Sequence, residues 1–315
     1  MKMLKVLDEI SGQRNVQLGI AIFLVIVYHL YCLGMSDFPF NLFKWGYIGV
    51  DIFLFYSGWG LTRSYSNKSI GKFYISRFVR IYPMYLIVVL YTAFRYIVQG
   101  KTFSVWDFIC NATGLSYWEL GGSHFEWYLM AILNLYIFFP LFVKLFNILG
   151  GVCLLTNVIV LFLVYNVSFV PDHLFLISRI PIFMLGIYVC KFMGDKNFDR
   201  NLGFILFLYL LGAFLCMCLK GQFRYLMTTY LAPFLIFAIS KIRLDRIGMC
   251  KPLNFIGTKT LELYCAQIPT MTIVIALELK GITLLTTYVV LQCIFSILFV
   301  ALNKYVQMII AKLIK

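Results

Sequence analysis

Apolar residues run along this chain in long uninterrupted stretches, without the alternation of a half-buried strand or the one-sided stripe of a surface helix. Leu18–Leu33, Ile81–Val98, Val152–Val167, Leu202–Leu219 and Ile282–Leu302 each approach or reach bilayer length, which for a helix is about 17–25 residues. With the shorter apolar segments between them, the pattern predicts ten spans. They lie at 16–35, 45–63, 80–98, 124–144, 150–168, 174–191, 202–219, 225–240, 254–277 and 282–303. The expected fold is all-α: a polytopic integral membrane bundle of about ten transmembrane helices, forming one domain over residues 1–315. Neither a Pro/Gly/Ser linker nor a repeat of 20–50 residues divides it.

Composition points the same way. The chain is 62% hydrophobic and 13% charged, where a soluble domain carries about 25% charged residues. This much apolar surface needs lipid as its solvent. The first run is near full span length, is followed by no small-residue cleavage site and contains His29, so it reads as a span and not as a cleavable signal.

A net charge of +14 would suit nucleic acid if it formed a stripe on a soluble domain, and no such domain is present. The charge follows the positive-inside bias instead. With both termini in the cytoplasm, 20 of the 27 basic residues fall on the cytoplasmic side, and Arg179 lies within a span. Nine cysteines include no CxxC pair, and Cys216 and Cys218 are too close for a normal bridge. Neither disulfides nor a metal are expected.

The candidate chemistry lies in the few polar residues inside the spans, because ionisable groups there are costly and usually mark function. His29 sits among aliphatic residues of span 1, and Asp51 lies in span 2. Counted inward from the same outer side, the two should reach similar depth on antiparallel neighbours, as a functional pair or as a bond that only pins the helices. Imidazole is a natural general base. Arg77 and Arg80 are three apart on the turn expected to open span 3, and a helix start with two guanidinium forks suits phosphate. Ordinary positive-inside flanking would place arginines there too. Arg179 in span 6 should face the bundle interior, and Glu126 and Glu262 lie near the ends of spans 4 and 9. Gly46, Gly49, Ser57 and Gly60 form a small-residue face for close helix approach.

Taken together, these segments resemble the acyltransferase-3 family, integral membrane enzymes that O-acylate polysaccharides and other surface glycans. The resemblance is carried by Gly19 to His29, Gly46 to Gly58 and Phe73 to Pro83, with echoes at His124 to Leu129, Arg179 to Gly186 and Phe255 to Tyr264. It implies acyl-CoA, in the first place acetyl-CoA, as cytoplasmic donor and His29 as catalytic base or acyl carrier, with Asp51 orienting or charge-stabilising it. Arg77, Arg80 and Arg14 would hold the donor phosphates. Arg179, His124, Glu126 and Trp127 would serve the acceptor, a glycan or lipid-linked polysaccharide, with Trp106 and Trp118 also able to stack on sugar rings or to form the interfacial aromatic belt. A bacterial cytoplasmic membrane is the implied location.

The chain departs from the family pattern in three places. The helix-1 Arg expected with ten residues between it and the His is Leu18, with Arg14 one turn away; the acidic pair after the helix-4 Trp falls on Ile132 and Leu133; and a His of the helix-9 motif becomes Gln267. Two competing readings are a non-catalytic scaffold and a proton-coupled transporter or flippase using His29, Asp51 and Arg179 as a polar path. Transporters tend to show halves with broken helices at matching positions, and the halves of this chain do not correspond.

Overall fold

A backbone immersed in hydrocarbon must satisfy its own polar groups, which selects helices. The computed structural model describes residues 9–37, 39–65, 69–119, 127–155, 173–193, 198–218, 223–242 and 248–313, and among these it is helical with no strand. Helix α1 (Arg14–Cys32) is joined through a 3-10 turn at Phe40–Trp45 to α2 (Ile48–Tyr65) and α3 (Ile70–Val98). Two short helices, α4 (Val105–Thr113) and α5 (Leu115–Glu119), precede α6 (Trp127–Leu149). Then come α7 (His173–Phe192), α8 (Phe198–Cys218), α9 (Phe223–Lys241), α10 (Cys250–Gly257), α11 (Thr260–Ala276) and α12 (Gly281–Leu313).

Five helical stretches among the described residues are long and apolar enough to cross a membrane: Arg14–Cys32, Ile70–Val98, Trp127–Leu155, Arg200–Met217 and Gly281–Leu313. Leu226–Lys241 and Thr260–Ala276 are shorter apolar helices. Helices α8 and α12 turn large side chains outward, including Phe204, Phe207, Phe214, Ile297 and Leu298, as lipid-facing helices do.

Helix α2 lies at the centre, with Gly49 through Tyr56 all buried. Glycines let its neighbours approach to backbone contact. A Cβ added at Gly46 would lie 2.1 Å from the Leu24 carbonyl oxygen, and one at Gly49 would lie 2.3 Å from that of Ala21, which fixes the antiparallel register of α1 on α2. On the other side, α2 and α7 exchange glycines: Gly58 abuts the Phe183 carbonyl and Gly186 abuts that of Phe55. Ser57 and Gly60, expected at a helix contact, instead line a cavity.

Several expected boundaries move. Helix α3 begins ten residues before the expected 80, because Phe73 is fully buried between the rings of Tyr65 and Phe139, at 5.1 and 5.4 Å, and anchors the basic segment as helix. Arg77 and Arg80 therefore lie two to three turns inside a helix, and not on its opening turn. The expected span 254–277 is broken at Thr258 and Lys259. Helix α10 crosses α1 so closely that a Cβ at Gly257 would lie 1.7 Å from the Asn15 carbonyl oxygen, and a straight continuation would have to leave that contact. Helix α12 runs well beyond 303, held by Asn303 donating to Glu262 at 2.7 Å and Gln307 donating to the Val79 carbonyl at 2.9 Å. Most of the expected span 150–168 lies outside the described residues; its start, Gly150–Leu155, is a 3-10 turn.

The connection expected as an irregular loop at 100–123 contains α4 and α5. Ser104 and Asp107 form a reciprocal cap at the start of α4. The hydroxyl and amide of Ser104 hold the Asp107 carboxyl below the usual carboxylate range. Gly114, at φ 84°, turns the chain into α5, and the hydroxyls of Tyr82 and Tyr85 dock the end of α4 through the carbonyls of Ala112 and Asn111.

Candidate active site

A cavity of about 450 Å³ opens at the basic end of the bundle, between α1, α2, α3, α6 and α10–α11. Arg14, Arg77 and Arg80 line its mouth. Arg14 feels the positive charge of both others, and among the described residues it donates to the neighbouring Asn15, at 3.2 Å. None of the three is ion-paired with a described carboxylate, since the ion pairs among the described residues are Arg179–Asp51 and Lys241–Glu9. The buried Nε of Arg77 has no hydrogen-bond partner among the described residues. Three cations around one opening, with no carboxylate partner among the described residues, leave donors with which an anion could be held.

Further in, the walls are Leu18, Phe53, Tyr56, Ser57, Tyr128 and Tyr264, so the lining turns from charged to aromatic and apolar. Leu18 lies one turn beyond Arg14 on the same face of α1. The usual arginine position and its neighbour thus address one cavity, with the charge displaced toward its mouth.

His29 lies near the far end of α1 and is half-buried. Its Nδ1 is 2.5 Å from Oε1 of Gln267, which is 1% exposed. The other end of that amide, Nε2, points toward the Leu263 carbonyl at 3.5 Å. Gln267 is one turn beyond Tyr264, about 4.5 Å along α11, so the inner wall of the cavity ends a single turn short of the partner of His29.

Asp51 does not contact His29, contrary to the expectation from sequence. Its carboxylate accepts from Arg179 Nη1 at 3.0 and 3.3 Å and from the Thr229 hydroxyl at 2.9 Å. Arg179 Nη1 also donates to the hydroxyls of Thr228, at 3.1 Å, and Thr229, and the guanidinium lies 4.5 Å over the ring of Tyr47. Asp51 and Arg179 are both 0% exposed. The register of α1 on α2 explains the miss: with Gly49 against Ala21, Asp51 falls opposite residue 19, about 15 Å from His29 along α1. Helix α2 starts only at Ile48, after a 3-10 turn and not a direct return of the chain, so counting inward from the loop overestimates how close the two come.

Of the other expected site residues, Arg179 faces the interior as predicted but belongs to the Asp51 cluster. Trp127 stands 6.0 Å from Tyr47, whose ring is 5.2 Å from Tyr28, the neighbour of His29. His124 and Glu126 lie outside the described residues. Glu262 is buried and bonded to Asn303. Sequence reasoning left Gln267, Tyr264, Tyr47, Thr228 and Thr229 out of the site. Of these, only Gln267 carried a local signal, as an amide inside an apolar span. No group of three or more His, Cys, Asp or Glu side chains able to hold a metal occurs among the described residues.

The fold and this site define a multi-pass helical membrane protein with a half-buried histidine beyond a cationic cavity. The chain belongs to the acyltransferase-3 family: the family profile, described as an acyltransferase domain, matches residues 19–303, nearly the whole chain. It is a membrane acyltransferase. Neither the curated proteins nor the solved structures include a significant match. The transporter or flippase reading gains no support from this match. The polar path it needed is also divided, since Asp51 and Arg179 neutralise each other away from His29.

Proposed function

We propose that this protein is an O-acyltransferase that moves an acyl group, with acetyl the first candidate, from acyl-CoA to a hydroxyl of a surface or lipid-linked polysaccharide. The reading places ten spans in a bacterial cytoplasmic membrane with both termini and the basic end in the cytoplasm, where the excess of Lys and Arg belongs. One observation carries it: Arg14, Arg77 and Arg80, none paired with a described carboxylate, surround a cavity whose inner wall ends one turn from Gln267, the partner of His29.

Coenzyme A carries a pyrophosphate and a 3′-phosphate, which the three guanidinium groups would bind. The narrow pantetheine arm would follow Leu18, Phe53, Tyr128 and Tyr264 inward. At its end, His29 takes the proton of the acceptor hydroxyl as the oxygen attacks the thioester carbonyl. The C–O bond forms, the C–S bond breaks, and the proton passes to the departing CoA thiolate. A positioned base of this kind is worth about 10²–10⁴-fold in rate. The reaction as drawn needs no metal. The acceptor would approach from the opposite end, where Trp127 can stack on a sugar ring.

Replacing His29 with Ala tests this. The variant should insert and purify like the wild type, since one half-buried side chain does not hold ten spans together, yet lose turnover of acetyl-CoA and O-acetylation of the surface glycan. Wild-type glycan acylation by His29→Ala would remove His29 from the mechanism. Loss of purified wild-type turnover with acetyl-CoA but not with longer acyl-CoA would move the donor assignment alone.

A further inference from the structure

Which nitrogen of His29 acts as the base depends on what holds the other one. Nδ1 lies 2.5 Å from Oε1 of Gln267, and an amide oxygen can only accept, so Nδ1 carries the proton of that bond. The orientation of the amide is set from behind. Nε2 of Gln267 faces the Leu263 carbonyl, and the same carbonyl accepts from Gln292 Nε2 at 3.1 Å, which ties it to α12. Turning the amide over would set its NH₂ against the imidazole and its oxygen against a carbonyl, a repulsive pair. Gln267 is also almost wholly buried, where an unmet amide is costly.

We infer that Gln267 is the positioning residue for His29: its amide oxygen fixes the imidazole as the Nδ1–H tautomer and leaves the basic lone pair on Nε2. This rests on the reading of His29 as the base. It assigns the proton of the acceptor hydroxyl to Nε2, across the ring from Gln267. A neutral amide orients the imidazole without adding a counter-charge. A ligand-orienting or base-orienting partner of this type is worth about 10–100-fold in activity when removed.

The test reads the tautomer directly. The chain has three histidines, His29, His124 and His173, so protein labelled with ring-¹⁵N histidine gives three spin systems, and a His29→Gln sample assigns the one of interest. Wild-type protein should show His29 protonated on Nδ1 in a single tautomer. Gln267→Met, similar in shape but without the acceptor, should show a mixed or reversed tautomer, with kcat down by about 10–100-fold and KM for acetyl-CoA within about twofold. Gln267→Glu keeps an acceptor for Nδ1 and should keep that nitrogen protonated, at some cost in kcat from the counter-charge that it adds. A bond that merely braces α1 against α11 predicts the opposite split: a lower melting temperature in the Met variant, with tautomer and kcat unchanged. Finding that split, or His29 protonated on Nε2 in the wild type, overturns the inference. The spectrum decides it even if purified protein turns over no acyl-CoA, an outcome that would instead defeat the functional reading.

Discussion

Asp51 on α2 and Arg179 on α7 meet at 3.0 Å with neither side chain exposed, and the hydroxyls of Thr228 and Thr229 complete the cluster from α9. The pair joins three helices at the point where α2 is most enclosed. Charges at this depth are tolerated only when paired and hydrogen-bonded, and the carboxylate and Nη1 meet both conditions.

Breaking one partner should therefore cost stability and leave the chemistry of His29 alone. Asp51→Asn leaves the guanidinium buried against a neutral amide, and losing one member of a buried pair costs about 3–5 kcal/mol. A melting curve in detergent should shift down sharply, and Asp51→Leu combined with Arg179→Met should recover part of the loss. Where Asp51→Asn protein survives, the acidic limb of its pH–rate profile should not move, because the partner of His29 is Gln267. A displaced limb at unchanged melting temperature would tie Asp51 to His29 after all.

The glycines of α2 and α7 should separate by what a Cβ would strike. At Gly186 it would lie 2.1 Å from the Phe55 carbonyl oxygen, backbone that cannot swing aside, whereas at Gly60 nothing lies within 4 Å. Gly186→Ala should reduce folded yield and melting temperature severely. Gly60→Ala should be neutral or raise stability by about 0.5–1 kcal/mol, the usual gain from replacing Gly in a helix interior. Equal losses in the two would contradict the close packing of α2 on α7.

The long apolar runs made the all-helical membrane fold legible, because span length depends on local composition alone. Positions that depend on how helices meet were not legible. The sequence puts Asp51 six residues inside its predicted span, but only the contact of Gly49 with Ala21 says which part of α1 lies opposite. Its true partner, Arg179, is 128 residues away in sequence. The break at Thr258 is equally tertiary in origin, set by the contact of Gly257 with Asn15. That Arg14, Arg77 and Arg80 gather at one end of the bundle was readable from the basic bias at span ends. Gln267 was visible as an odd amide, but its bond to His29 needed α11 to be laid along α1.

The arginines should differ in how they respond to salt. Arg77 is half-buried with its Nε enclosed, and Arg80 is exposed. Hydrogen bonds to charged groups contribute about 1.5–3 kcal/mol, so Arg77→Gln should raise KM for acetyl-CoA roughly tenfold or more, with little effect on the acceptor. Arg80→Gln should matter less, and its effect should fade near 1 M salt, where the Debye length is about 3 Å. Equal, salt-independent effects on both substrates would indicate a folding defect and not a lost phosphate contact.

The sharpest test of the cavity uses Arg14 and Leu18. The two sit one turn apart on the same face of α1 and line the same cavity, with Arg14 nearer the mouth. If the cavity needs a cation there chiefly to hold donor phosphate, its position along the face can slide by one turn without abolishing binding. The arginine side chain spans several ångströms, comparable to the 5.4 Å helix pitch. Arg14→Leu alone should raise KM for acetyl-CoA by roughly tenfold, equivalent to about 1.4 kcal/mol, and leave the melting temperature nearly unchanged, since among the described residues its hydrogen bond is to the adjacent Asn15. Leu18→Arg added to that variant should bring KM back toward the wild-type value. Leu18→Arg alone would crowd a fourth cation into the site and should weaken folding more than it improves binding. Failure of the double variant to recover donor affinity, in protein that melts like the wild type, would show that Arg14 acts through something other than the charge it presents to the cavity.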